Sequence, residues 1–208
     1  MINYILMKYF LILIMAINYT FSQSEVEIKI LDTLIYKDKP FNVSITNNST
    51  HTYLFFIDKT YKGATYLDLP WQVSNVLYPQ IVLIDEENIE LKSIILVTSS
   101  HEVKRENIVD KVIFKEQFKI GGKGVIILKP NESFNFMMVL NLTPSEETPY
   151  YPVNLEKNYK LFLKFKPCLI NFKEYIPEET LVFIEKYNIV VFNNELVSNI
   201  VDIILNTH

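Results

Sequence analysis

The sequence predicts an all-β protein built as an antiparallel, two-layer sandwich. Apolar and polar side chains alternate with a period of two in several segments, as they do in strands with one buried and one solvated face. The 208 residues include 13 Tyr and 14 Phe, and aromatic and β-branched residues favour half-buried sheet surfaces. Turn-forming residues separate short apolar segments, which is typical of sandwiches and barrels.

Four segments show the alternation most clearly, and each predicts a strand whose apolar side faces the core. The four apolar stripes are Val26, Ile28 and Ile30; Phe41, Val43 and Ile45; Phe134, Phe136, Met138 and Leu140; and Tyr159, Leu161, Leu163 and Phe165.

Four further segments are apolar on both faces, which predicts central strands or strands covered by a loop. They are residues 53–57, 81–84, 94–97 and 125–128. Turn signals follow or precede them at residues 47–49, 85–88, 121–124 and 129–131.

Two longer stretches interrupt this rhythm. Residues 58–79 contain Gly63, Pro70 and Trp71, and they predict a long loop insertion. Further on, Pro177 precedes two glutamates, and a proline followed by acidic residues is a helix-start signal. We therefore expect one short helix over residues 178–186.

The first 22 residues have the pattern of a secretory signal. Lys8 precedes an apolar run over residues 9–16, and Thr20-Phe21-Ser22 closes the segment. The run is shorter than the ~20 apolar residues that span a bilayer. We expect cleavage after Ser22 and an exported protein, periplasmic, at the cell surface or secreted. The mature chain, residues 23–208, is then a single domain without a transmembrane segment; the alternative is a leader retained as a membrane anchor.

Three segments of the second half carry a family resemblance. Leu128–Phe134 is similar to a "Leu-x-Pro-Gly-Glu-Ser" turn, Leu155–Leu161 to the approach to a tyrosine-corner strand, and Phe192–Asn199 to a closing "Gly-x-Leu-x-Ser-Asn" hairpin. Together they resemble the immunoglobulin-like β-sandwich domains of uncharacterised exported bacterial proteins. Asn131 and Asn194 stand where the family pattern has glycine. The resemblance implies an immunoglobulin-like antiparallel sandwich with a loop insertion and one short helix, and it supplies no site residues.

Charge and cysteine content restrict the partners. The chain has 20 Lys and Arg against 24 Asp and Glu, a net charge of −4. Nucleic-acid binding needs a clustered basic surface, so we expect no nucleic-acid partner. Cys168 is the single cysteine, which excludes a disulfide within the chain.

No pattern of catalytic, cofactor-binding or metal-ligating residues is found. His51, His101 and His208 do not have ligand spacing, and the acidic turn at residues 85–88 lacks the spacing of a calcium loop. We therefore expect no metal, no cofactor and no catalytic residue, and predict that the protein is not an enzyme.

The sequence leaves a binding role as the preferred hypothesis. The insertion contains Tyr61, Tyr66, Trp71 and Tyr78, which either contact an unknown protein or carbohydrate partner or pin the loop to the sandwich. A structural subunit of an envelope or surface assembly is one alternative, with residues 196–205 as its unpaired edge strand. A secreted hydrolase is another, with Asp68, His101 and Glu102 around one cleft.

Overall fold

The computed structural model describes residues 24–57, 79–93, 115–144, 150–167 and 175–205, and this part of the chain is mostly β. Its strands are β1 (Val26–Ile30), β2 (Leu34–Tyr36), β3 (Pro40–Asn47), β4 (Tyr53–Phe56), β5 (Gln80–Asp85), β6 (Glu90–Leu91), β7 (Val125–Leu128), β8 (Ser133–Val139), β9 (Tyr159–Phe165), β10 (Val190–Val191), β11 (Leu196–Val197) and β12 (Val201–Ile204). Helix α1 spans Glu178–Lys186, as predicted.

The strands form three sheets. One sheet has the order β1-β3-β8, and a six-stranded sheet has the order β2-β12-β9-β5-β6, with β11 also pairing with β9. A third, the small sheet, has the order β10-β4-β7. The pairings are antiparallel except for two, because β2 pairs in parallel with β12 and β10 in parallel with β4. The antiparallel prediction therefore fails at two short outer strands.

The main core lies between the three-stranded and six-stranded sheets, and all four predicted stripes face it. Val43, Leu161 and Leu163 have no exposed surface. The third stripe is less buried than predicted, because Phe134 and Phe136 are only partly covered. β8 is the outermost strand of its sheet among the described residues, so its first side chains lie at the border of the core.

The small sheet is buried on both faces, as the doubly apolar segments predict. Tyr53 and Phe55 of β4 join the main core, whereas Leu54 and Phe56 face a second core. Phe118 and the inner side of α1 cover that second core. The cover is thus largely helical, because α1 presents an apolar stripe that matches the outer face of β4 and β7.

Helix α1 begins where its sequence signal places it. Pro177 precedes the helix, and Glu178 and Glu179 occupy the first turn, where carboxylates interact favourably with the helix dipole. Thr180 is fully buried, and its Oγ1 donates a 2.8 Å hydrogen bond to the carbonyl of Phe118. This bond joins α1 to the segment that precedes β7. Among the described residues, none of the helices is both long and apolar enough to cross a bilayer.

The last strands close one side of the sandwich. The amide N–H of Leu163 donates to Ser198 Oγ at 2.8 Å, inside the β9 ladder. Asn199 then reaches the other sheet, since its Oδ1 accepts from the N–H of Ile30 at 2.8 Å and its Nδ2 donates to the carbonyl of Ile30 at 3.1 Å. The side-chain amide of Asn199 therefore bonds both backbone groups of Ile30, as a neighbouring strand would, and links the two sheets.

The expectation of an unpaired edge over residues 196–205 is wrong. β12 lies between β2 and β9 and pairs with both, and Leu196, Val201 and Ile203 are buried. Alternation alone shows which side chains face the core but not which strands lie beside a segment.

Several sequence-based expectations lie outside the described residues. These are the leader, the insertion aromatics Tyr61, Tyr66, Trp71 and Tyr78, the strand at 94–97, the hydrolase candidates Asp68, His101 and Glu102, and also Cys168 and His208.

Candidate functional site

Three connections leave the sandwich at the same end. In the six-stranded sheet, β5 begins beside the last residues of β9, with Gln80 paired to Lys164, and β11 begins with Leu196 paired to Phe165. In the three-stranded sheet, β3 ends at Asn47 where β8 begins. Between β1 and β2 the chain passes from one sheet to the other, because β1 pairs with β3 and β2 runs parallel to β12. This connection sets the orientation of the two sheets relative to each other. We call this end of the sandwich the insertion end.

The small sheet is built from these connections. Thr46 pairs with Ser133 at the end of the β3–β8 ladder, and Tyr53 pairs with Leu128 in the next ladder, between β4 and β7. The β4–β7 ladder thus continues the β3–β8 ladder, because β4 follows β3 in the chain and β7 precedes β8. β10, from the connection after β9, pairs with β4 on its other side, with Val190 beside Tyr53. Residues far apart in sequence therefore form one unit at the insertion end.

Asn47 fixes the junction between the sandwich and the small sheet. Its side chain is fully buried, and Nδ2 donates to the carbonyls of His51 at 2.7 Å and Leu128 at 2.9 Å. Oδ1 accepts from the amide of Ser49 at 3.0 Å and from its hydroxyl at 2.8 Å. Both donors and the acceptor are therefore satisfied, and His51 contributes its backbone carbonyl here.

Aromatic rings continue the main core into the small sheet. Phe192 lies edge-on to Tyr53, with ring centroids 5.5 Å apart, and stacks on Phe55 at 4.9 Å. The hydroxyl of Tyr53 donates to a carboxylate oxygen of Glu25. Burial, and then the hydrogen bond and charge of Glu25, raise the pKa of Tyr53 to about 12. Tyr53 stays protonated at neutral pH and serves as a fixed donor.

The surface of the insertion end is partly apolar and partly acidic. Val182 of α1 is 56% exposed, Tyr187, directly after the helix, is 57% exposed, and Val190 of β10 is 41% exposed. The ring of Phe183 lies 4.5 Å from that of Tyr187, and the Lys186 ammonium lies 5.3 Å from the Tyr187 ring centroid. The exposed glutamates of α1 surround this group; they are Glu178, Glu179 and Glu185.

The acidic turn after β5 lies at the opposite end. Asp85 Oδ1 accepts from the amides of Glu87 at 3.0 Å and Ile89 at 2.9 Å. Glu86 Oε1 accepts from the backbone and side-chain amides of Asn158, at 3.1 and 2.7 Å. These oxygens therefore stabilise two loops. Within the described ranges, no group of three or more His, Cys, Asp or Glu side chains is placed to hold a metal ion.

Sequence reasoning missed the exposed residues of α1 and the junction residue. The helix was predicted, but its exposed face was not assigned. Asn47 had a detectable signal, because it continues the inward-facing series Phe41, Val43 and Ile45. An amide at the end of an apolar stripe indicates a buried group with fixed hydrogen-bond partners.

In comparisons with known proteins, no family model, no curated protein and no solved structure matches this chain.

Proposed function

We propose that the protein is a noncatalytic, exported binding module with an immunoglobulin-like architecture, and that it contacts its partner with the insertion end. One observation carries this proposal: three connections leave one end of the sandwich and fold together there as the small sheet and α1. Binding sites concentrate in segments that a rigid scaffold presents at one end.

The strand order supports the immunoglobulin-like part of the proposal. The β1-β3-β8 sheet corresponds to the A-B-E order of such domains, and β12-β9-β5-β6 corresponds to G-F-C-C′. Tyr159 adds a second argument, because its hydroxyl accepts a 3.0 Å hydrogen bond from the amide of Asn154. That is the bond of a tyrosine corner. The strands β4, β7 and β10 have no counterpart in this scheme and form the added unit.

The insertion end is suited to binding because its scaffold is fixed in advance. Asn47 and Phe192 join it to the core with buried hydrogen bonds and ring contacts. A surface that is already ordered loses little conformational entropy on binding.

The exposed groups favour a protein partner over a carbohydrate. Sugars bind to open faces of aromatic rings, whereas the ring of Tyr187 is already in contact with Phe183 and Lys186. Val182 and the α1 glutamates instead match a surface with apolar and basic groups. We therefore propose a protein of the same exported compartment as the partner.

A two-site comparison tests the proposal. The variant V182D/Y187A changes the insertion end, and I89D changes the opposite end, where Ile89 is 57% exposed. Each immobilised protein is incubated with an envelope extract of the source cells, and bound proteins are identified by mass spectrometry. We expect the unmodified protein and I89D to retain the same partner and V182D/Y187A to lose it. Equal retention by V182D/Y187A would contradict a role of this surface.

A further inference from the structure

The two outer faces of the sandwich differ in chemistry. A solvated sheet face is expected to be polar, and the outer face of the three-stranded sheet is mostly polar, with Asn42, Ser44, Thr46, Ser133 and Asn135 beside the apolar Pro40, Met137 and Val139. The six-stranded sheet departs from that expectation. We call its outer side the β9 face, with the residues Leu34, Tyr36, Gln80, Val82, Ile84, Glu90, Lys160, Phe162, Lys164, Val197, Ile200, Asp202 and Ile204.

The apolar surface of the β9 face is open on the side of β2, β11 and β12, whereas Val82 of β5 is only 6% exposed. Leu34 and Tyr36 on β2 are 42% and 40% exposed, Val197 on β11 is 56% exposed, and Ile200, just before β12, is 57% exposed. Apolar residues grouped on neighbouring strands mark an interaction surface more reliably than scattered ones do.

The sheet register sets the order of side chains across this face. Leu34 pairs with Asp202, Asp202 with Lys160, and Lys160 with Ile84. From β2 to β5 the row therefore reads apolar, acidic, basic, apolar. One step along the strands, Ile200 and Phe162 form the next row, since they adjoin the paired residues Val201 and Leu161.

We propose that a second copy of this chain packs on the β9 face across a two-fold axis that runs parallel to the strands, between β12 and β9. This rotation places Lys160 of the second copy opposite Asp202, Ile84 opposite Leu34, and Phe162 opposite Ile200. Each contact occurs twice, as in any isologous interface. Opposite charges meet in pairs and apolar groups meet apolar groups, so the face complements itself.

Lys160 and Asp202 are available for this contact. Among the described residues, neither of them takes part in an ion pair. Lys164 already pairs with Glu195 at 3.4 Å, so the remaining charges of the face are Lys160 against Asp202 and Glu90. The net charge of −4 is therefore not concentrated on this face.

The size of the face fits a dimer that exchanges with monomer. The sheet is five strands wide, because β11 and β12 both pair with β9 on the same side. Its 24 strand residues, at about 4.8 by 3.3 Å each, cover roughly 380 Å² on each copy. The total of about 760 Å² is below the usual range of stable interfaces and is typical of a weak, transient contact. We expect dissociation in the micromolar range.

Charge exchange tests the arrangement. Sedimentation equilibrium on the protein recovered after export is compared for the unmodified chain, K160E, D202K and the double variant K160E/D202K, from low micromolar to several hundred micromolar. We expect a dimer for the unmodified chain and dimerisation weakened about tenfold or more in each single variant, because like charges then meet twice. We expect recovery in K160E/D202K and also in an equimolar mixture of K160E and D202K, where an acidic face meets a basic one.

Two further variants make the result specific to this face. K29E changes the polar outer face, where Lys29 pairs with Glu27 at 3.0 Å, and is expected to dimerise like the unmodified chain. I200D is expected to be monomeric. The proposal is overturned if the unmodified chain is monomeric throughout or forms larger assemblies, if K29E weakens association as much as K160E, or if the mixture and the double variant fail to associate.

Discussion

Asn47, Ser198 and Asn199 are polar side chains that make hydrogen bonds where strand pairing is interrupted. Asn47 lies where the β3–β8 ladder passes into the β4–β7 ladder, and Asn199 lies where β1 meets the six-stranded sheet. Each satisfies backbone groups that would otherwise be buried without a partner, at a cost of about 1–3 kcal/mol per group. These residues therefore determine whether the sheets join correctly.

Replacement of Asn47 by aspartate tests this function of the buried amide. A carboxylate cannot donate hydrogen bonds. In N47D a buried negative charge therefore lies beside the carbonyl oxygens of His51 and Leu128. We expect the free energy of unfolding to fall by about 3 kcal/mol. Urea denaturation measures the change. The matched control is N48D at the exposed neighbouring position, which is expected to change stability by less than about 0.5 kcal/mol. Equal effects would contradict the assignment of Asn47 as the junction.

Tyr53 predicts a dependence of stability on alkaline pH. Its pKa is about 12 in the fold against an ordinary value of 10.0, so the neutral phenol is favoured in the folded state. The stabilisation is complete below pH 10, where the phenol is neutral in both states, and is lost as the pH rises from 10 through about 12. We expect the free energy of unfolding to drop by on the order of 2 kcal/mol over this window.

The variant Y53F isolates this contribution. It lacks the ionisable hydroxyl, so its stability is expected to be lower at neutral pH but to decline less between pH 9 and about 12. Urea denaturation at several pH values measures both effects. Y187F, at an exposed tyrosine, is expected to decline like the unmodified protein. A Y53F profile as steep as that of the unmodified protein would contradict the assignment.

At the scale of elements, the structure agrees with the sequence where a local pattern is strong. The boundaries of α1 follow from Pro177 and the two glutamates after it, and the doubly apolar β4 and β7 are covered on both faces. The short strands β2 and β10 were missed. They have three and two residues, too few for a period, and they are strands only because β12 and β4 lie beside them.

Helix α1 is held on the small sheet by one buried hydroxyl as well as by apolar packing. In T180V the shape is kept, but the hydrogen bond from position 180 to the carbonyl of Phe118 is lost. We expect a loss of about 1–3 kcal/mol in the free energy of unfolding, measured by urea denaturation, and faster amide exchange in α1 than in β9. The matched control is V182T, a substitution at an exposed position of the helix, which is expected to leave the free energy of unfolding nearly unchanged. An unchanged T180V would show that the bond contributes little.

At the scale of the whole molecule, the sequence predicted a layered β structure but not which strands pair with one another. Period-two alternation sorted side chains into inside and outside, and this placed the four stripes on the core. Sheet order depends on contacts such as that of Ile30 with Asn199, 169 residues apart in sequence, which no local pattern encodes. The same limit applies to the insertion end. The insertion expected over residues 58–79 lies almost wholly outside the described residues, and the unit that is described combines segments from three connections.

The proposed dimer would give the molecule two binding surfaces with one orientation. A rotation about an axis parallel to the strands leaves strand direction unchanged, so both insertion ends point the same way. A partner with repeated sites would then meet the second surface at high effective concentration, and apparent affinity would exceed that of one copy.

The pairing of β2 with β12 also sets an order of events in synthesis. β2 can pair with β12 only after residues 202–204 have been synthesised. In the same way, the backbone of Ile30 can bond to Asn199 only after that residue has been synthesised. Until then the N-terminal strands have an open edge that other chains can join. A chain with such distant contacts folds slowly. We therefore expect the nascent protein to depend on chaperones until its final strand emerges.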